Sequence, residues 1–150
     1  MVEIKKDFFN LEMYSVYRAI GELWGEEAWK IVWRAGEILF SELVDRLNLK
    51  GKSLEEVLKS LANYLKDAGY VEGIEVNFVK DDEVEYKMKN PSIEEGAFRL
   101  IEEGYAPPHI STALFIACLD KLFGLKAEMI GDPVQKEGWV IEKWKLKRKK

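Results

Sequence analysis

A chain of 150 residues, 47% hydrophobic and 33% charged, is sized for one compact domain with a real core, and its balance excludes disorder. No apolar run reaches the length a membrane helix requires, the N-terminus lacks the build of a signal peptide, and the cytoplasm is the expected location. One cysteine and one histidine rule out an internal disulfide and a finger-type zinc site, while abundant Lys and Glu with a single Gln lead us to expect high thermal stability. The net charge of -4 is uneven: residues 143–150, "KWKLKRKK", form a basic tail with six positive charges and leave about -10 on the rest.

The elements follow in chain order. Asn10 is placed to cap a helix through "LEMYSVYRAIGELWG", whose apolar positions recur at helical spacing and which Gly25 ends. "EEAWKIVWRAGEILFSELVDRLNL" then aligns Ala28, Val32, Ala35, Leu39 and Leu43 in one stripe with Trp29, Trp33, Phe40 and Leu47 beside it, the pattern of a central or shared helix. Ser53 and Glu56 make a capping box for "SLEEVLKSLANYLKDA", closed by Gly69. The period then changes from 3.6 to 2. Val71, Ile74, Val76 and Phe78, followed by Val84, Tyr86 and Met88, read as an antiparallel hairpin turning at Asp81 and Asp82.

Ser92 with Glu95 offers a second capping box for a helix ending near Gly104, and Pro107 and Pro108 lead into a last helix closed by Gly124. "LKAEMI" and "GWVIEKWKL" are two strands separated by a turn at Gly131, Asp132 and Pro133. The expected architecture is α+β, a single domain over 1–150, with about five helices packed on a four-stranded antiparallel sheet.

Chemistry-bearing residues are few. His109 and Cys118 lie nine residues apart, a rotation of roughly 900° at about 100° per residue, which points them to opposite helix faces and argues against a reactive pair. Cys118, inside "ALFIACLDKLF", reads as a buried small hydrophobe with a raised pKa. His109, at a helix entrance, suits local capping or the wall of a ligand site. "DDEVE" reads as a solvated hairpin tip without the spacing of a calcium loop. There is no phosphate loop, serine elbow or His/Cys metal cluster, so a non-catalytic protein is expected. The sequence leaves the identity of any cofactor undetermined.

The succession "AIGELWGEEAWKIVWRAGEILFSEL", "SLEEVLKSLANYLKDAGYVEGIEV", hairpin, "PPHISTALFIACLDKLFGLKAEMI" and "GWVIEKWKL" resembles the 4-vinyl reductase domain family, over roughly residues 13–147. That family groups with the TRAPP-like and haem nitric-oxide-associated ligand-binding domains. The resemblance implies a small-molecule or hydrocarbon-binding sensory domain, commonly dimeric. Typical members place a cysteine before the late helix and more around the last hairpin; here His109 stands near the first place and the hairpin has none, so neither a thiol-dependent role nor vinyl reduction is inferred.

On this reading the late helix and the long second helix enclose an apolar cavity over the sheet, lined by Trp33, Phe40, Phe98, Phe115 and Cys118 with His109 as its polar group. The bulky residues of the first two helices, Tyr14, Tyr17, Trp24, Trp29 and Trp33, suggest a homodimer. Two alternatives remain. One is an interaction or scaffold module without ligand. The other is a winged-helix regulator, since residues 53–88 pass from a helix to a two-stranded ribbon. The acidic ribbon tip, and a helix bearing Glu55, Glu56 and Asp67, argue against nucleic acid as a partner.

Overall fold

The structure is a computed structural model that describes residues 3–148. Among these residues the chain forms five α-helices and five strands: α1 (Lys6–Trp24), α2 (Ala28–Arg46), α3 (Leu54–Asp67), β1 (Gly73–Lys80), β2 (Glu83–Lys89), α4 (Glu94–Glu102), α5 (Ile110–Phe123), β3 (Leu125–Met129), β4 (Val134–Lys136) and β5 (Trp139–Arg148). A short 3₁₀ turn, Gly25–Glu27, links the first two helices. All pairings are antiparallel in the order β1-β2-β5-β3, with β4 also on β5. No helix among the described residues is long and apolar enough to cross a membrane.

Three local expectations are met by specific bonds. Ser53 caps α3 by accepting from the Glu56 N–H at 3.2 Å, and Gly69, at φ 78°, ends that segment. Lys80 pairs with Glu83 across the Asp81–Asp82 turn. Gly124 closes α5 in the left-handed conformation.

Other expectations are corrected. Asn10 lies inside α1 and caps a different helix: its Oδ1 accepts from the Gly96 N–H of α4 at 2.8 Å, while its Nδ2 donates to the Lys6 and Ser92 carbonyls. The N-cap of α4 is Ile93, with no side-chain cap of its own, so the Ser92/Glu95 box does not form. The Gly131–Pro133 segment interrupts an edge rather than turning a hairpin, because β3 and β4 both run along β5, and the reversal occurs at Glu137 and Gly138, both with positive φ. The strand read in "GWVIEKWKL" extends into the basic tail: up to Arg148 the tail is the end of β5, with Trp144 and Leu146 buried between outward lysines, while Lys149 and Lys150 lie outside the described residues. Nor is the β1–β2 ribbon a wing, for β2 pairs along its length with β5 inside the sheet.

The main core lies between α2, α3, α5 and the inner face of the sheet, with Leu61, Tyr86, Leu114, Phe115 and Trp144 fully buried in it. The helix pair α2–α5 crosses closely at Gly36, where an added Cβ would stand 2.3 Å from the Ala113 Cβ and 2.4 Å from its carbonyl carbon. Only glycine permits that approach. Against α1, Arg99 lies 3.8 Å from the Tyr14 ring centroid, and the Tyr14 hydroxyl donates to Glu103, fixing α4 on the helix.

Candidate functional site

A cleft of about 850 Å³ opens where α2 and α5 diverge from the edge strand β3. Three rings form one wall. Trp29 and Trp33, one turn apart on α2, stack with centroids 5.7 Å apart, and His109 also stacks on Trp29 at 5.7 Å. Ala113, Ile116 and Ala117 of α5 supply an apolar floor, and Ala127 and Met129 of β3 close the opposite side. Tyr105 completes the mouth; its ring seats against Gly21 of α1, where a Cβ would meet it at 2.4 Å.

His109 sits at the N-cap of α5 and is 8% exposed. Burial lowers its pKa to about 4, so the imidazole is neutral at physiological pH. Beside it, the Glu142 carboxyl of β5 is 1% exposed, with Oε2 3.5 Å from His109 Nδ1. The Thr112 hydroxyl donates to this carboxyl at 2.8–2.9 Å, and the Trp144 Nε1–H donates to Oε1 at 3.1 Å. Burial still dominates these donors and raises the Glu142 pKa to about 7. A second cavity, of about 30 Å³, touches the same pair from the side of Tyr70, Met88 and Phe98.

The residues expected to line a pocket thus separate. Trp33 and His109 are on the cleft, and Phe98 borders the small cavity. Phe40, Phe115 and Cys118 do not share that space: they are packed in the main core, 7%, 0% and 0% exposed. The cleft lies at the edge of the sheet rather than over its middle, because the close Gly36–Ala113 crossing leaves no room between α2 and α5 there. His109 and Cys118 form no pair, and burial pushes the Cys118 thiol up to about 12. No motif in the sequence singled out Glu142 or Thr112. A signal exists: Val140, Glu142, Trp144 and Leu146 alternate as the buried face of β5, and a carboxylate in such a column demands a partner.

No protein-family model matches the chain, and no curated protein is similar to it. Solved structures do share its fold. One, described as "Probing the function of heme distortion in the H-NOX family", is 14% identical with a TM-score of 0.58 over 100% of this chain and 75% of its own. A second, "Modulating Heme Redox Potential Through Protein-Induced Porphyrin Distortion", is 14% identical with a TM-score of 0.52 over 98% and 78%. A third, "Cs H-NOX mutant with unnatural amino acid 4-cyano-L-phenylalanine at site 5", is 18% identical with a TM-score of 0.53 over 100% and 76%. The α+β fold expected from the sequence is therefore shared with these structures, none of which is described as a vinyl reductase domain.

Proposed function

We propose that this protein is a small-molecule-binding, sensory-type module and not a catalyst, and that its ligand is apolar over most of its surface. The observation that carries the reading is the cleft walled by the Trp33–Trp29–His109 stack. Flat aromatic walls with an aliphatic floor favour a planar or elongated apolar body, and burial at about 25 cal/mol per Å² supplies the affinity. One neutral imidazole provides a single directional hydrogen bond. The fold shared with the H-NOX structures supports a ligand-binding role.

Haem, the group named in the descriptions of two of those structures, fits this cleft poorly. Its two propionates need cationic partners, yet the cleft is bordered by Glu37, Asp120, Glu128 and Asp132 against Lys126. The neighbouring Lys121 is already held 3.5 Å from Glu37. Neutral ligands meet no such penalty.

The test is titration with the neutral fluorescent probe N-phenyl-1-naphthylamine. Uptake with an emission increase is expected for the wild type. Ala127→Trp, which projects a large ring from the wall formed by β3, should weaken uptake at least about tenfold while the far-ultraviolet circular dichroism is retained. Equal uptake by the filled variant would contradict the proposal.

A further inference from the structure

His109 has two nitrogens in different surroundings. Nδ1 stands 3.5 Å from Glu142 Oε2, whereas Nε2 has no hydrogen-bond partner among the described residues and His109 lines the cleft, so Nε2 is the nitrogen left for a ligand. Of the two carboxyl oxygens, Oε1 accepts from Trp144 and Thr112, while Oε2 is shared between Thr112 and His109. A proton on this carboxyl therefore belongs on Oε2, the oxygen 3.5 Å from Nδ1.

We infer that Glu142 is a specificity-determining residue, which fixes whether His109 offers the cleft a hydrogen-bond donor or an acceptor. This deepens the proposed small-molecule role and rests on it. When the His109–Glu142 pair holds its shared proton between Oε2 and Nδ1, Nε2 must carry the imidazole hydrogen, and it donates to a ligand carbonyl or ring nitrogen. The result is the same whichever side of the shared bond that proton occupies. When the proton leaves to solvent, the carboxylate accepts from Nδ1–H, and Nε2 becomes a bare acceptor for a ligand N–H or O–H.

The surroundings leave this exchange to the pair. Thr112 of α5 and Trp144 of β5 do not titrate near neutrality. The tyrosines that feel the Glu142 charge, Tyr70 before β1 and Tyr86 of β2, are held above their ordinary pKa by burial, as is Tyr17 of α1 next to Tyr70. They stay neutral throughout. On the cleft side the charged groups are Glu37, Asp120, Glu128 and Asp132 with Lys126. With the carboxyl raised to about 7, the exchange falls near neutral pH.

Because His109 is the only histidine, ¹⁵N-histidine labelling of the full chain gives one imidazole to follow by NMR. Nε2 should be protonated at pH 6.0 and unprotonated at pH 8.5, with a midpoint near 7 that Glu142→Gln abolishes. One tautomer throughout in the wild type, or a midpoint that persists in the variant, would overturn the inference; the wild-type titration decides even if the variant does not fold. In parallel, quinoline (an acceptor) and indole (a donor) are titrated at both pH values. Their affinity ratio should shift by about tenfold toward indole at pH 8.5, the worth of one well-made hydrogen bond. A tautomer change with neither bicycle bound would sink the small-molecule reading but keep the proton exchange. Both bound with a pH-independent ratio would keep the cleft and sink the specificity claim.

Discussion

A carboxyl group cut off from water must keep its proton or collect donors, and Glu142 does some of each. Thr112 and Trp144 supply donors, but burial outweighs them, so the folded state holds the proton up to about pH 7, against an ordinary value of 4.5. Folding thus takes up a proton at Glu142 between these values, and the stability associated with the group is present below 4.5 and lost as pH rises to 7. His109 runs the other way: with its folded pKa near 4 and its ordinary value 6.5, its contribution grows from pH 4 to 6.5. The two offset one another over most of that window. In Glu142→Gln only the histidine effect remains. The stability difference, wild type minus variant, should therefore fall between pH 4.5 and 7 by up to about 3 kcal/mol, at 1.36 kcal/mol per unit of pKa. Urea denaturation at pH 4.5, 5.5, 6.5 and 7.5 measures it, and parallel profiles would show that Glu142 does not hold its proton in the folded state. Sequence alone marked His109 as a possible wall residue, yet could not pair it with Glu142, since nothing local links positions 33 residues apart in different elements.

At the scale of elements, helices with local signals were legible and the way they meet was not. The Ser53 cap, though without the return bond from Glu56 that a full capping box has, and the Gly69 and Gly124 terminators act within a few residues, so they read directly. Asn10 shows the limit. It has the chemistry of a cap, but the N–H it satisfies belongs to Gly96, 86 residues on. Strand order was equally hidden: period 2 placed residues 139–146 in a strand, while only pairing reveals that this strand is central and that its neighbours β3 and β4 share one edge. Phe40, Phe115 and Cys118 read as cavity residues in the sequence because an apolar helix face looks the same whether it lines a void or fills a core. Gly36 decides between these. It brings α2 onto Ala113 and forces the opening toward β3. Gly36→Ala should cost at least about 1–3 kcal/mol by thermal melting. Ala113→Gly should rescue it only in part, because the Ala113 carbonyl oxygen, 2.6 Å from where the new methyl would stand, remains in the way. An unchanged melting temperature for Gly36→Ala would mean the helices are not in this contact.

Seen whole, the molecule packs its helices on the inner face of the sheet and leaves part of α1 bare. Ile4, Phe8, Leu11, Val16, Leu23 and Trp24 are all 45% or more exposed, while Tyr14 and Gly21 on the other side face α4 and Tyr105. Of the large side chains that suggest a dimer in the sequence, only Trp24 stands on this bare face: Tyr14 is buried, Tyr17 is half-buried, and Trp29 and Trp33 of α2 line the cleft. We expect two copies to associate through the α1 face, and sedimentation at micromolar concentration to report a dimer that Phe8→Glu with Leu11→Glu dissociates. A wild-type monomer under those conditions would remove this expectation without touching the cleft.

The claim on which the functional account stands is that the space beside Trp29 and Trp33 receives a small molecule. A crystal structure of the protein grown with N-phenyl-1-naphthylamine tests it most directly. The account predicts the probe between the tryptophan pair and β3 and, in crystals grown at pH 8.5, its amine N–H within hydrogen-bonding distance of His109. Trp33 and Met129 meeting across a closed cleft, with the probe absent or lodged on the α1 face, would contradict it.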